Sequence, residues 1–320
     1  MIFTLEGSPV LSESVDTSSD LSLNHSINYF NSSIKRLINE QTELLNEFVN
    51  DYSTLCDQPT YISEMVLNES EKKSLGQSLK NIWDKLSEGF NRLIQKAIAL
   101  FDQLFRNYDK FISQNKDKII KNANLIGKDF TINGYKYNII SGSNNAMDRI
   151  NDVIKNTFKD YSDTDVLEDE TIKGTLDSVE RDIIYKLIGT RNLSDFEKNA
   201  NEFLRGKMVK LTLNDLGGID NIIKNITDTK NVQDKLKKIK RGFNNFMRDL
   251  NITYEYEDDE PKDPARFAAI QKAYTVIMKY LNICISNLRD ERNQSFQICK
   301  QLANAKIPEE RGTKPVSEIT

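Results

Sequence analysis

A mainly α-helical fold, two long amphipathic helices packed with shorter helices plus one small β-hairpin, is what this 320-residue sequence predicts. Three observations carry the prediction. Over residues 79–112, Ile82, Leu86, Phe90, Leu93, Ala97, Phe101, Leu104, Tyr108 and Phe111 recur in steps of three and four, the helical period. A neighbouring line of Trp83, Ile94, Ile98, Phe105 and Ile112 widens this into a stripe broad enough to face a core. Residues 265–305 repeat the pattern through Phe267, Ile270, Tyr274, Ile277, Leu281, Ile285 and Leu288, then Phe296, Cys299 and Leu302. Around Asn133-Gly134 the period drops to two: Phe130 and Ile132 alternate before the pair, and Tyr135, Tyr137 and Ile139 after it. Asn-Gly readily adopts the positive φ angles of a two-residue hairpin turn.

The elements follow in order. Residues 1–22 read as a flexible leader, with Gly7, Ser8 and Pro9 ahead of Ser12, Ser14, Thr17, Ser18 and Ser19. Residues 23–140 form an N-terminal helical region that includes the hairpin. It opens with a helix over 23–55, stopped at Asp57-Gln58-Pro59, and a connector or short helix over 61–73. The 79–112 helix, roughly 50 Å long at 1.5 Å per residue, is the element the rest is expected to be organised around. It is expected to end at Ser113-Gln114-Asn115-Lys116. Residues 141–254 form a middle helical region, with helices at 147–161, 171–188, 215–226 and 228–250. Ser194 with Glu197 offers a capping box for another, ending near Gly206, and residues 208–213 alternate as a second β element. After an acidic loop, Pro264 starts the long C-terminal helix of a last region, 255–307, which is expected to pack on the 79–112 helix; 308–320 is a loose tail.

Composition narrows the function classes. Apolar residues make up 38% and charged ones 29%, polar for a globular chain yet not the signature of disorder. A net charge of -4 does not suggest a dedicated nucleic-acid binder. Cys56, Cys284 and Cys299 show no CxxC spacing. The last two lie about 22 Å apart along one predicted helix, too far to bridge, so reduced thiols of a cytoplasmic setting are expected. The first residues carry no basic, apolar signal segment, and no 18-residue apolar span suggests a membrane crossing.

No catalytic constellation stands out. His25 is the sole histidine, which excludes histidine-based zinc sites, Ser-His-Asp triads and Cys-His pairs. Gly127-Lys128 lacks the upstream glycine and following Ser or Thr of a phosphate loop. Asp215-Leu216-Gly217-Gly218 precedes a helix, where an anion could sit, although a turn glycine pair is the plainer reading. The acidic runs at 163–170 and 255–260 do not follow the EF-hand pattern and read as solvated loops. No cofactor and no metal ion are expected. Lys235, Lys237, Lys238, Lys240 and Arg241 form the densest basic run, threaded by Val232, Leu236, Ile239, Phe243 and Phe246. A half-buried helix with a basic outer face is the first reading, and contact with nucleic-acid phosphates the second. Trp83, Phe90, Phe101 and Phe105 would suit a membrane surface, but the mixed charges of that helix's polar face favour a core, and no membrane partner is expected.

The stretches IWDKLSEGFNRLIQKAIALFDQLFRNYDKF (82–111) and GKDFTINGYKYNI (127–139), behind a leader and ahead of a long C-terminal helix, resemble internal virion proteins of large tailed bacteriophages. The resemblance spans residues 67–140 and, more loosely, 264–305. It implies a non-enzymatic structural protein made in the host cytoplasm and packaged in the head interior or assembling the prohead core. Its partners would be capsid or core proteins, packaged DNA and a maturation protease. In T-even-type phages that protease cuts after Leu or Ile, any residue, and Glu, ahead of a small residue. The resemblance therefore implies cleavage between Glu13 and Ser14, or between Glu69 and Ser70. A third match, Glu88 before Gly89, falls inside the predicted organising helix and is shielded there. The alternative function is a cytoplasmic helical module that binds nucleic acid through the basic run.

Overall fold

In a computed structural model the chain is described over residues 69–127, 129–137, 146–162, 172–191, 194–256 and 264–305, with helical positions 28, 29, 32, 33, 35, 36, 39, 40 and 43 before them. The helices are α1 (Glu69–Ile126), α2 (Ala146–Ser162), α3 (Ile172–Ile188), α4 (Phe196–Arg205), α5 (Gly218–Thr227), α6 (Thr229–Tyr256) and α7 (Pro264–Asn304). Two strands, β1 (Thr131–Tyr135) and β2 (Met208–Thr212), form one small antiparallel sheet. The fold is mainly α, with two long helices packed on shorter ones and on each other. Most of the predicted 23–55 helix, the leader and the tail lie outside the described residues.

The organising element is α7 rather than the helix over 79–112. It packs against α1, α2, α3, α4 and α5. Runs such as Ala273-Tyr274, Val276-Ile277-Met278 and Tyr280-Leu281 are buried. Over residues 272–297 only a narrow line at the helical period, Lys272, Thr275, Lys279, Asn282, Ser286, Asp290, Asn293 and Gln297, keeps appreciable exposure, so α7 reads from sequence as one more amphipathic helix although most of its circumference is buried. Its last carbonyls are capped from α1: the buried Asn122 amide donates to Leu302 O at 2.7 Å and to Ala305 O at 3.3 Å.

The apolar stripe of α1 is core over its described side chains, with Phe90, Leu93, Ile94, Ala97, Phe101, Leu104, Phe105, Tyr108 and Ile112 all buried. The helix does not stop at 113–116. Nothing there is Gly or Pro, Asn115 Nδ2 donates to Phe111 O at 2.9 Å, and Ile119 and Ala123 carry the buried face onward. At 58 residues it is about 87 Å long. Its Tyr108 stacks on Phe296 of α7 at 4.4 Å, and its Phe90 on Phe243 of α6 at 4.0 Å. Phe243 also meets Tyr274 at 5.5 Å and so joins three helices. Phe243→Ala should cost about 3–5 kcal/mol, the usual toll of an emptied aromatic core site, read as a lowered urea midpoint.

Both β elements form, but Asn133-Gly134 is not their turn. It lies within β1, whose partner is β2, with Asn133 opposite Lys210 and Gly134 opposite Val209. The far edge of β1 is closed by α7. Tyr135 N donates to Gln294 Oε1 at 2.9 Å, and Gln294 Nε2 donates to Tyr135 O at 2.9 Å, so one side-chain amide stands in for a neighbouring strand. A Cβ at Gly134 would fall 2.7 Å from Gln294 Oε1. The glycine permits this close approach, a requirement that overrides the local preference of Asn-Gly for a turn. The residue directly before α4 is Asp195, with a left-handed φ of 59° and no capping hydrogen bond from its own side chain.

Candidate functional site

The basic run lies on α6, where Val232, Leu236, Ile239 and Phe243 face the core. Its cations do not form one outward patch. Lys235 and Lys238 both reach Asp148 of α2, at 3.4 Å and 2.9 Å, and Lys235 is largely buried. Burial by itself would raise the Asp148 carboxyl, but hydrogen bonds and charge from Lys238 and Lys235 outweigh it and hold the group below the usual carboxylate range. Lys237 and Arg241 are exposed and linked by a hydrogen bond from Arg241 Nε to Lys237 O at 3.4 Å; Lys240 is half-buried. Two of the candidate phosphate contacts thus tie α6 to α2.

The implied cleavage residues fall elsewhere. Glu13 and Ser14 lie outside the described residues, while Glu69 and Ser70 open α1 instead of sitting in a connector. Cutting at Ser70 requires the first turn of that helix to unwind. Gly89 is buried mid-helix, in line with the shielding expected of the third match.

A polar cleft of about 410 Å³ opens between the end of β1, the 3₁₀ turn Asn214–Leu216, α5, the start of α6 and the middle of α7. Tyr135, Lys136 and Tyr137 form one wall, Asn221, Lys224 and Asn225 another, and Glu291, Arg292 and Ser295 line it from α7. Arg292, at 1% exposure, is the most deeply buried of these side chains. Its Nη1 donates to Glu291 Oε2 at 2.8 Å, and Asn225 Nδ2 donates to Glu291 Oε1 at 3.1 Å. Among the described residues Arg292 Nε has no hydrogen-bond partner. Burial pushes the Glu291 carboxyl up, with the Arg292 guanidinium beside it pulling the other way; burial likewise lowers Arg292 from its ordinary value, against the charge of Glu291. At the rim, Asp215 accepts from Thr212 N at 2.9 Å and from Thr212 Oγ1 at 2.7 Å, which holds its carboxyl low. Burial raises the Tyr137 phenol and keeps it protonated.

None of Lys136, Tyr137, Lys224, Glu291 and Arg292 stands out from sequence spacing, because the cleft is assembled from segments far apart in the chain. One clue was present: Arg289-Asp290-Glu291-Arg292 interrupts an apolar stretch of the helix, and charges on its buried faces, such as Glu291 and Arg292, mark either a structural pair or a site. The glycine pair Gly217-Gly218 is a turn, with φ of 81° and 82°, and Gly217 lines the cleft. Among the described residues no group of acidic or cysteine side chains is placed to hold a metal ion. No helix among them is long and apolar enough to cross a membrane. Compared with known protein families, curated proteins and solved structures, the chain matches none.

Proposed function

We propose that this is a non-enzymatic structural protein of a tailed-phage particle, packaged in the head interior or assembling its core. Its leader is removed by a maturation protease at Glu13–Ser14, with Glu69–Ser70 as the second candidate. The order of elements, which resembles internal virion proteins, supports this reading. The observation that carries it from the structure is how the charged and amide side chains are used. Lys235 and Lys238 bind Asp148 between α6 and α2, Lys272 binds Glu180 between α7 and α3 at 2.7 Å, and Gln233 of α6 donates to Asp102 of α1. These groups hold helices together, as an assembly component requires. The same pairs weigh against the nucleic-acid alternative, which needs the Lys235–Arg241 run free to meet phosphates.

Peptide mass spectrometry of purified particles of the source virus tests the proposal. The expected result is an abundant chain with a new N-terminus at Ser14 or Ser70. Absence of the chain from particles overturns it.

A further inference from the structure

We propose that the cleft between β1, α5 and α7 is a binding site for a small organic oxyanion, a ligand that presents a carboxylate or phosphate group to Arg292, Lys136 and Lys224. The inference is independent of the virion reading and goes beyond it.

The argument rests on which hydrogen-bonding groups of the lining are already engaged. The carboxylates have protein donors: Asp215 takes two from Thr212, Glu291 takes one each from Arg292 and Asn225, and Asp228 Oδ1 takes Asn231 N at 3.2 Å. The cations are less fully hydrogen-bonded, although Asp228 acts on Arg292 and Lys136 on Asp215 through charge. Of the Arg292 nitrogens only Nη1 has a hydrogen-bond partner among the described residues, and Nε is a buried donor without one. A buried donor left without a partner is destabilising, and Arg292 Nε is the one lining side-chain atom so placed among the described residues. Glu291 grips the guanidinium by one nitrogen, which leaves the side-on edge, Nε with Nη2, for a second acceptor. That edge matches two oxygens of one carboxylate or phosphate. Lys136 and Lys224 line the same cleft and make no ion pair or hydrogen bond from their ammonium groups among the described residues.

The remaining walls say what the rest of the ligand is like. At about 410 Å³ the cleft exceeds the needs of a bare ion and falls in the range of small-molecule sites. Tyr135 and Tyr137 meet edge to face at 5.9 Å and give it an aromatic side, and the protonated Tyr137 phenol adds an O–H donor. Asn221 and Asn225 line it from α5, their amide nitrogens already donating to Leu216 O and Glu291 Oε1. The chemistry fits a polar organic body with one oxyanion head.

Isothermal titration of the full chain tests this with succinate and with glycerol phosphate, each at ionic strength matched by chloride. As fragments of a larger ligand these probes should bind saturably with a Kd of about 1 mM. Lys136→Ala and Lys224→Ala, both at positions away from the core, should each weaken binding about tenfold, and Arg292→Lys more, since lysine keeps the charge but lacks the fork. Saturation by succinate alone assigns a carboxylate, and by glycerol phosphate alone a phosphate. If neither probe saturates, or if the lysine variants bind as well as the parent, the proposal is wrong. Because the lysine variants do not touch the Glu291–Arg292 pair, they decide the matter even if Arg292→Lys fails to fold.

Discussion

Glu291→Leu alone should destabilise the protein by about 3–5 kcal/mol, whereas Glu291→Leu combined with Arg292→Met should cost far less. Both side chains are buried in the middle of α7, Arg292 at 1% exposure and Glu291 at 9%. Each ion has given up its hydration, and each is tolerated because the other is 2.8 Å away. Removing Glu291 leaves a guanidinium that cannot shed its proton, with no counter-charge in contact and an orphaned Asn225 amide beside it. Removing both charges replaces the pair by apolar atoms of similar volume, which is often neutral or better. Glu291→Gln should fall between, since a carboxamide oxygen still accepts from Arg292. Urea unfolding of the four proteins checks the order, with an unchanged slope as the sign that the compared states are the same. Equal losses for Glu291→Leu and the double variant would mean that the pair contributes through packing and not through charge.

The contrast between what could be read in the sequence and what could not follows from the range of the forces involved. Local periodicity located helices closely: 147–161 became Ala146–Ser162, 171–188 became Ile172–Ile188, and 228–250 became Thr229–Tyr256. Each presents a hydrophobic stripe that its own sequence declares. The two β elements were legible for the same reason, with 208–213 observed as Met208–Thr212. Their pairing was not, because it is decided in contact with α7: Gln294 sits against the bare backbone of Gly134, and its two part-buried hydrogen bonds to Tyr135 hold β1 extended against the local turn propensity. The centrality of α7 was not legible because its narrow polar line, from Lys272 through Lys279 to Gln297, has the same helical spacing as that of a surface helix, and the sequence does not say how many neighbours cover the rest. The basic run was legible as charge, but its use was not, since Asp148, which takes up Lys235 and Lys238, is about 90 residues away in sequence. The cleft was the least legible part: Lys136, Lys224 and Arg292 converge only through the fold.

The largest expected effect of solution conditions is a steep alkaline unfolding. Burial raises the phenols of Tyr108, Tyr274 and Tyr280 well above their ordinary value, and raises the thiol of Cys284; the Cys299 thiol is pushed up to about 12. In the unfolded chain the thiols ionise near pH 8.5 and the phenols near pH 10. Above those values the unfolded state loses protons that the folded state keeps, so stability falls as pH rises. Each group contributes a slope of up to about 1.4 kcal/mol per pH unit between its unfolded and folded pKa, and the slopes add while the groups titrate independently. Stability should therefore be flat through neutrality, begin to fall near pH 9 with the thiols, and fall much faster above pH 10 when the phenols join. Urea midpoints from pH 7 to 11 read the curve, and tyrosinate absorbance at 295 nm should rise together with the loss of helix rather than before it. Tyr108→Phe separates burial from hydrogen bonding within this set. Its hydroxyl has no hydrogen-bond partner among the described residues while its ring stacks on Phe296, so the variant should be as stable as the parent at pH 7 and more stable at pH 11. A variant that loses stability at pH 7 would show that the hydroxyl is held by an interaction the packing of α1 against α7 does not explain.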